Sequence, residues 1–277
     1  MAEITATLVR ELRDETGLPM MDCKQALTAS GGDKEKAKEE LRKKGIKLQE
    51  GRGSRETAFG RFGIYAGLDK KAGAIVELKC ESAPVAGSAE FIQLANDLAQ
   101  QLATGPGANT ADELLDQPCP SKPGKTLREV KDDMFNRIRE VFNVGRMAKL
   151  EGQTGGYSHN AGTVSGVLVQ IEGGNDDAAK DVSMHVAAMR PLAVNKEEID
   201  PAIVAKEREI LREAALAEGK PANIVDKMVE GRLKNFYAEK VLLEQPFVKE
   251  NSISVGKHAE GHGMKVKKFV HWELGKA

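Results

Sequence analysis

Gly124-Lys125-Thr126 comes closest to chemistry in this chain of 277 residues, because a phosphate-binding loop ends in such a triplet and holds phosphate with backbone amides and a lysine. The full motif needs a glycine where Cys119 stands. It also needs a buried strand leading in, where Asp116-Gln117-Pro118-Cys119-Pro120 offers turns. The segment is therefore read as a loop ending in a helix start at Thr126. His258 and His262 stand four residues apart with Glu260 between them, a spacing that would suit zinc on a helix. Gly256, Gly261 and Gly263 argue against a helix there and predict a solvent-exposed loop, so no metal site is expected. Cys23, Cys80 and Cys119 are odd in number, widely spaced and form no CxxC, which predicts buried thiols rather than disulfides or a zinc site. His185, between Met184 and Val186, reads as a satisfied core or boundary histidine. No GxSxG occurs, nor any Ser, His and Asp grouping that marks a nucleophile, so no catalytic residue is expected.

Composition points the same way. A net charge of −1 supplies no drive toward nucleic acid or an anionic membrane, and 4% aromatics leave few platforms for stacking bases. A protein surface or a small ligand is the better default partner. No stretch approaches ~18 apolar residues, and Met1-Ala2-Glu3-Ile4 lacks the features of a secretory signal, so a cytoplasmic protein is expected.

The elements that must position any site begin with three short helices. Thr5 is an N-cap, Ile4 and Val9 are spaced for a hydrophobic staple, and Leu8 and Leu12 carry the stripe until Gly17. A second helix runs from about Met20 to Ala29. Asp33 caps a third, with Ala37 and Leu41 on one face and an end at Gly45. Met20 and Met21 point ~100° apart on a helix, so both cannot face one narrow core and at least one is expected at the surface. An exposed methionine is an adaptable contact, although lone surface methionines are also common. Residues 46–58, with Lys47, Gly51, Arg52, Gly53 and Arg55, lack apolar periodicity and read as a linker.

A weak repeat follows. Gly73-Ala74-Ile75-Val76-Glu77-Leu78 is echoed by Gly166-Val167-Leu168-Val169-Gln170-Ile171, each preceded by a short strand, near Ile64-Tyr65 or Tyr157-Ser158-His159. Each run leads to an Ala-rich helix, with Leu94-Ala95-Asn96 corresponding to Ala178-Ala179-Lys180. Two related α+β subdomains are the economical explanation, and chance likeness of two hairpin-plus-helix units is the alternative. From Pro191 to Gln245 the pattern is helical. Asp200-Pro201 starts one helix, Gly219-Lys220-Pro221 breaks it, and a second carries Ile224 to Phe236, which makes an antiparallel hairpin. The remaining strands of the second unit must come from Val255 to Leu274.

The run Leu12-Arg13-Asp14-Glu15-Thr16-Gly17-Leu18-Pro19-Met20-Met21-Asp22-Cys23-Lys24-Gln25-Ala26-Leu27 resembles the N-terminal signature of the elongation factor Ts family. The likeness continues through Val76 to Glu81, Met184 to Ala188, Glu218 to Pro221, Val229 to Arg232 and Glu244 to Val248. It implies an α+β protein with a ubiquitin-associated-like (UBA-like) three-helix domain at 1–45, a linker at 46–58 and a core N-subdomain at 59–150. A core C-subdomain would occupy 151–192 and 240–277, with the inserted helical hairpin at 193–239. The implied function is guanine nucleotide exchange in translation elongation, by a non-enzyme without cofactor that binds elongation factor Tu, GDP-bound or nucleotide-free, and neither nucleic acid nor membrane directly. By the same resemblance Arg13, Met20, Met21 and Lys24 would contact the G domain of that partner, His159 would press near its phosphate-binding loop, and Val248 would touch a β-domain farther away. The family typically continues Cys-Glu with Thr-Asp-Phe-Val, whose acidic and aromatic side chains wedge beside the partner's magnesium. Here Ser82-Ala83-Pro84-Val85 stands instead, so both wedge side chains are changed and Pro84 is left as a rigid apolar bump. The further helix that some relatives carry after the Trp272-Glu273-Leu274-Gly275 region is not expected here.

Overall fold

The computed structural model describes residues 4–219 and 221–276; Met1 to Glu3, Lys220 and Ala277 lie outside them. The protein is mixed helix and sheet, an α+β fold of two compact units, one of residues 1–63 with 76–147 and the other of 64–75 with 148–277.

In the first unit, α1 (Ala6–Thr16) starts where the Thr5 hydroxyl accepts from the Leu8 amide, and stops at Gly17, whose φ of 68° is the left-handed conformation that glycine adopts without penalty. α2 (Met20–Ala29) and α3 (Lys34–Glu50) follow, the latter capped by the Asp33 carboxylate on two amides. Their apolar faces enclose Val9, Leu12, Cys23, Leu27, Ala37 and Leu41. Burying each leucine contributes about 1.5–3 kcal/mol. α3 runs past Gly45, which as a glycine predicts a stop. The reason is tertiary: a β-carbon at Gly45 would stand 1.9 Å from Asn136 Oδ1, so the glycine serves the packing of another helix on α3.

Strands β1 (Phe59–Tyr65) and β2 (Ala72–Cys80) lead through the single turn α4 (Ala83–Ala86) to α5 (Ala89–Thr104), the short α6 (Ala111–Leu115) and α7 (Leu127–Ile138), which carries Asn136. β3 (Asn143–Glu151), which sequence patterning does not single out, completes a sheet of order β1-β2-β3. Its Arg146 forks onto the buried Glu77 carboxylate of β2 at 2.8 and 3.1 Å, a pairing across strands that no local pattern encodes.

In the second unit β4 (Thr154–His159) and β5 (Ser165–Gly173) form an antiparallel pair, and α8 (Asp176–Met189) packs on them. The hairpin α9 (Pro201–Ala217) and α10 (Ala222–Lys240) follows, with Asp200 capping, Pro201 in the first turn, and Ala215, Val225, Val229 and Leu233 between the helices. A small β6 (Pro246–Phe247) and β7 (Glu250–Ser254) pair leads to α11 (Val255–Gly261) and β8 (Met264–Glu273), giving the order β4-β5-β8. The helix α11 corrects the expectation of a loop around His258. Ser254 caps it, Val255 and Ala259 are buried, and Gly256 lets the turn sit against the Leu243 carbonyl, where a β-carbon would come within 2.9 Å. Packing outweighs the low helix propensity of its two glycines. Among the described residues no helix is long and apolar enough to cross a membrane.

Candidate functional site

The groups that could react are engaged in structure. Gly124 takes φ 84°, Thr126 and Glu129 form a capping box on α7, and Lys125 pairs with Asp133 at 2.6 Å. The Glu129 carboxylate accepts from the Thr126 amide at 2.9 Å, and this backbone hydrogen bond holds its pKa below the usual range. The positive end of the helix thus already carries an anion, supplied by the protein itself. Cys23, Cys80 and Cys119 are buried free thiols, and burial pushes Cys80 up to about 11 and Cys119 upward too. His258 stacks on Phe247 at 4.0 Å, and His262 Nδ1 lies 2.8 Å from the His258 carbonyl. Burial, and then the neighbouring His262, lower the pKa of His258. Among the described residues no three His, Cys, Asp or Glu side chains come together to hold a metal.

The residues expected to touch a partner lie at or near the surface. On α2, Met20 and Met21 are 40% and 61% exposed, and Lys24 is exposed one turn after Met20. Arg13 is exposed on α1, 3.2 Å from Asp14. Asp22, between these contacts, turns instead to Lys44 at 2.7 Å and Arg139 at 2.6 Å.

Ser82, Ala83, Pro84 and Val85 form the cap and first turn of α4. Ala83 and Pro84 are exposed, while Val85 is half-buried. The base of the turn is fixed: Glu140 accepts from the Ser82 amide at 3.1 Å and its hydroxyl at 2.6 Å, and Cys80 Sγ donates to the Ser82 carbonyl at 3.2 Å. Arg55, just before β1, pairs with Glu81 at 3.1 Å, and Arg61 of β1 donates to the Ala86 carbonyl at 3.2 Å, so β1 and the segment leading into it are fastened to the two ends of the turn. Phe59, between those arginines, is 44% exposed.

In the second unit His159 and Val248 line one cavity of 530 Å³, with Met184, Ala187 and Ala188 as apolar wall and Tyr157, Arg190 and Lys249 as polar rim. Tyr157 Oη sits 3.1 Å from His159 Nδ1, which sets the ring's orientation. Val248 is 42% exposed, yet its amide donates to His185 Nδ1 at 3.1 Å. That bond places the His185 proton on Nε2, which donates to Gln245 Oε1 at 2.9 Å, and burial lowers this imidazole's pKa. The core histidine is thus what holds the Val248 backbone.

The family described as "Elongation factor TS" matches residues 81–276. The chain is also similar to "Elongation factor Ts" of Methylococcus capsulatus, 42% identical over 98% of this chain and 92% of that one. The proteins of the same name from Thioalkalivibrio sulfidiphilus and Clostridium botulinum are each 39% identical over the same shares. The chain belongs to the elongation factor Ts family. Membership places it among the elongation factors of protein biosynthesis and implies nucleotide exchange in translation elongation.

For an elongation factor Ts chain, the geometry adds residues that sequence reasoning missed. Phe59 was discoverable as a large aromatic at a strand start. Glu140 and His185 were not legible as supports, because their partners Ser82 and Val248 lie 58 and 63 residues away. The structure brings His159 and Val248 to one cavity, although separate contacts were expected of them. It groups Met20, Met21 and Lys24 on one helix.

Proposed function

We propose that the protein is a non-catalytic exchange factor that binds elongation factor Tu, with GDP or without nucleotide, in the cytoplasm and accelerates release of GDP. The observation that supports this best is that the apolar side chains Met20, Met21, Pro84 and Val248 are exposed, while the Ser82 amide under the Pro84 turn and the Val248 amide are each held by a side chain from a distant segment. Such a surface presses; it does not react. In this reading the three N-terminal helices, a UBA-like module carrying Arg13, Met20, Met21 and Lys24, grip the G domain. His159 acts toward the phosphate loop, and Val248 shares its cavity as a further contact. Pro84, joined by the exposed Phe59, supplies the bulk beside the magnesium site that the changed loop Ser82–Val85 no longer draws from an acid and an aromatic.

No cofactor or metal of its own is needed, because exchange is negative coupling between two ligands of one partner. If the factor weakens GDP binding by a given ratio, GDP weakens binding of the factor by the same ratio, at about 1.4 kcal/mol per tenfold. Distorting the magnesium and phosphate contacts is effective because those contacts hold the nucleotide. The test is stopped-flow release of fluorescent GDP from elongation factor Tu with and without the protein. Acceleration saturating with concentration is expected, and an unchanged release rate at micromolar protein overturns the proposal.

A further inference from the structure

The residue after α7 has a conformation that its type does not favour. Arg139 adopts φ 66°, ψ 24°, the left-handed region where a β-carbon crowds the backbone and glycine is the natural occupant. Its Nη1 is also buried without a hydrogen-bond partner among the described residues. Local stability therefore does not explain an arginine here. What it does is reach α2: Nη2 pairs with Asp22 at 2.6 Å, while its carbonyl accepts from Arg52 Nη1 at 2.5 Å.

The next two residues reach the other contact surface. Glu140 holds the Ser82 amide and hydroxyl, and the Val141 amide donates to Glu81 at 2.8 Å. Three consecutive residues thus grasp the helix that exposes Met20 and Met21 on one side and the base of the Pro84 turn on the other. Planar peptide units leave only φ and ψ between these grips, and the Arg52 bond and the left-handed turn restrict that freedom.

We propose that Arg139 is a positioning residue that couples α2 to the Ser82–Val85 turn, so that both surfaces meet the nucleotide-binding domain of elongation factor Tu as one rigid contact. This rests on the exchange-factor function above. Asp22 is the receiving group, and Lys44, also on Asp22 at 2.7 Å, keeps that carboxylate in place.

Arg139→Gly in the full chain tests it, since glycine suits the left-handed backbone while removing the grip on Asp22, and Arg139→Lys controls for the added backbone freedom. The melting temperature is expected to stay level or rise, while stimulated GDP release falls about tenfold, and Arg139→Lys is expected to restore most of it. A cycle of Met21→Ala and Pro84→Ala supplies a readout that a structural role would not move. The two changes should be non-additive with Arg139 present and additive with glycine there. Amide exchange of the free chain gives a reading independent of elongation factor Tu. Residues 82–87 and α2 should lose protection together, by about threefold or more, in Arg139→Gly. Unchanged protection in the turn, or a cycle that stays non-additive in Arg139→Gly, overturns the coupling. If the wild-type chain fails to release GDP, the exchange function falls, and amide exchange still decides whether Arg139 joins the two elements.

Discussion

The two three-stranded sheets make an informative pair. In each, the hydrophobic run of the repeat is the central strand, β2 or β5, and the preceding strand lays a glycine against the following helix. A β-carbon at Gly63 would stand 1.8 Å from the Ala95 carbonyl oxygen, and one at Gly155 would stand 2.7 Å from that of Ala179. Ala95 and Ala179 are the residues that correspond between the two Ala-rich runs. The copies differ in how the central strand reaches its helix. β2 passes through Glu81, Ser82 and the extra turn α4, whereas β5 passes from Gly173 and Gly174 to the Asn175 cap of α8. One scaffold thus offers a protruding turn, and the other offers a cavity beside the helix, lined by His159 and Val248. Strand-to-helix packing constrains the scaffold in both, and the exposed turn and the cavity lie where that packing does not reach.

The glycines give the largest expected effects. Gly63→Ala, with a β-carbon 1.8 Å from backbone oxygen, should destabilise by about 3 kcal/mol or more, whereas Gly155→Ala, at 2.7 Å, is a milder clash and should cost about 1–2 kcal/mol. Urea melts of the two variants check this, and equal losses would show that the closer approach at Gly63 does not set the cost.

Functionally, the cavity should outweigh the turn. His159→Ala is expected to slow stimulated GDP release about tenfold and Pro84→Ala about twofold to threefold, because a proline on a turn that lacks a carboxylate or an aromatic has less leverage. Phe59→Ala should fall between them. Stopped-flow rates corrected for folded fraction decide the order, and a larger loss for Pro84→Ala would assign the main pressure to the turn.

A smaller difference concerns acid. All five histidines, at 159, 185, 258, 262 and 271, lie in the second unit. Burial lowers the pKa of His185, His258 and His271, so below the unfolded value of about 6.5 the unfolded chain binds more protons than the native one. Their contribution is complete above that pH and is lost as pH falls from about 6.5 through the lowered native values. Amide protection in β5 and α8, corrected for intrinsic rates, should therefore weaken between pH 7 and 5.5 more than protection in α5 and α7. A uniform loss across both units would remove the histidines as the cause.

Local chemistry made much of this protein legible in its residues. Thr5, Gly17, Asp33, Thr126 and Asp200 each cap or stop a helix where their side chains or φ angles predict, because a cap joins groups within four residues of one another. That at least one of Met20 and Met21 is exposed follows from 100° of helix rotation, although both prove to be, and the repeated runs follow from strand patterning. Tertiary structure decided the rest. Gly45 is a glycine inside a helix because Asn136 packs against it, α11 forms around glycines because its buried face packs and Gly256 fits against the Leu243 carbonyl, and β3 pairs with β2 with the Arg146–Glu77 fork across them. The union of His159 with Val248 in one cavity, the support of Val248 by His185, and the grip of residues 139–141 on α2 and the Ser82 turn all join groups at least 58 residues apart. Sequence spacing carries no angle or distance across such separations, and only the packed chain sets them.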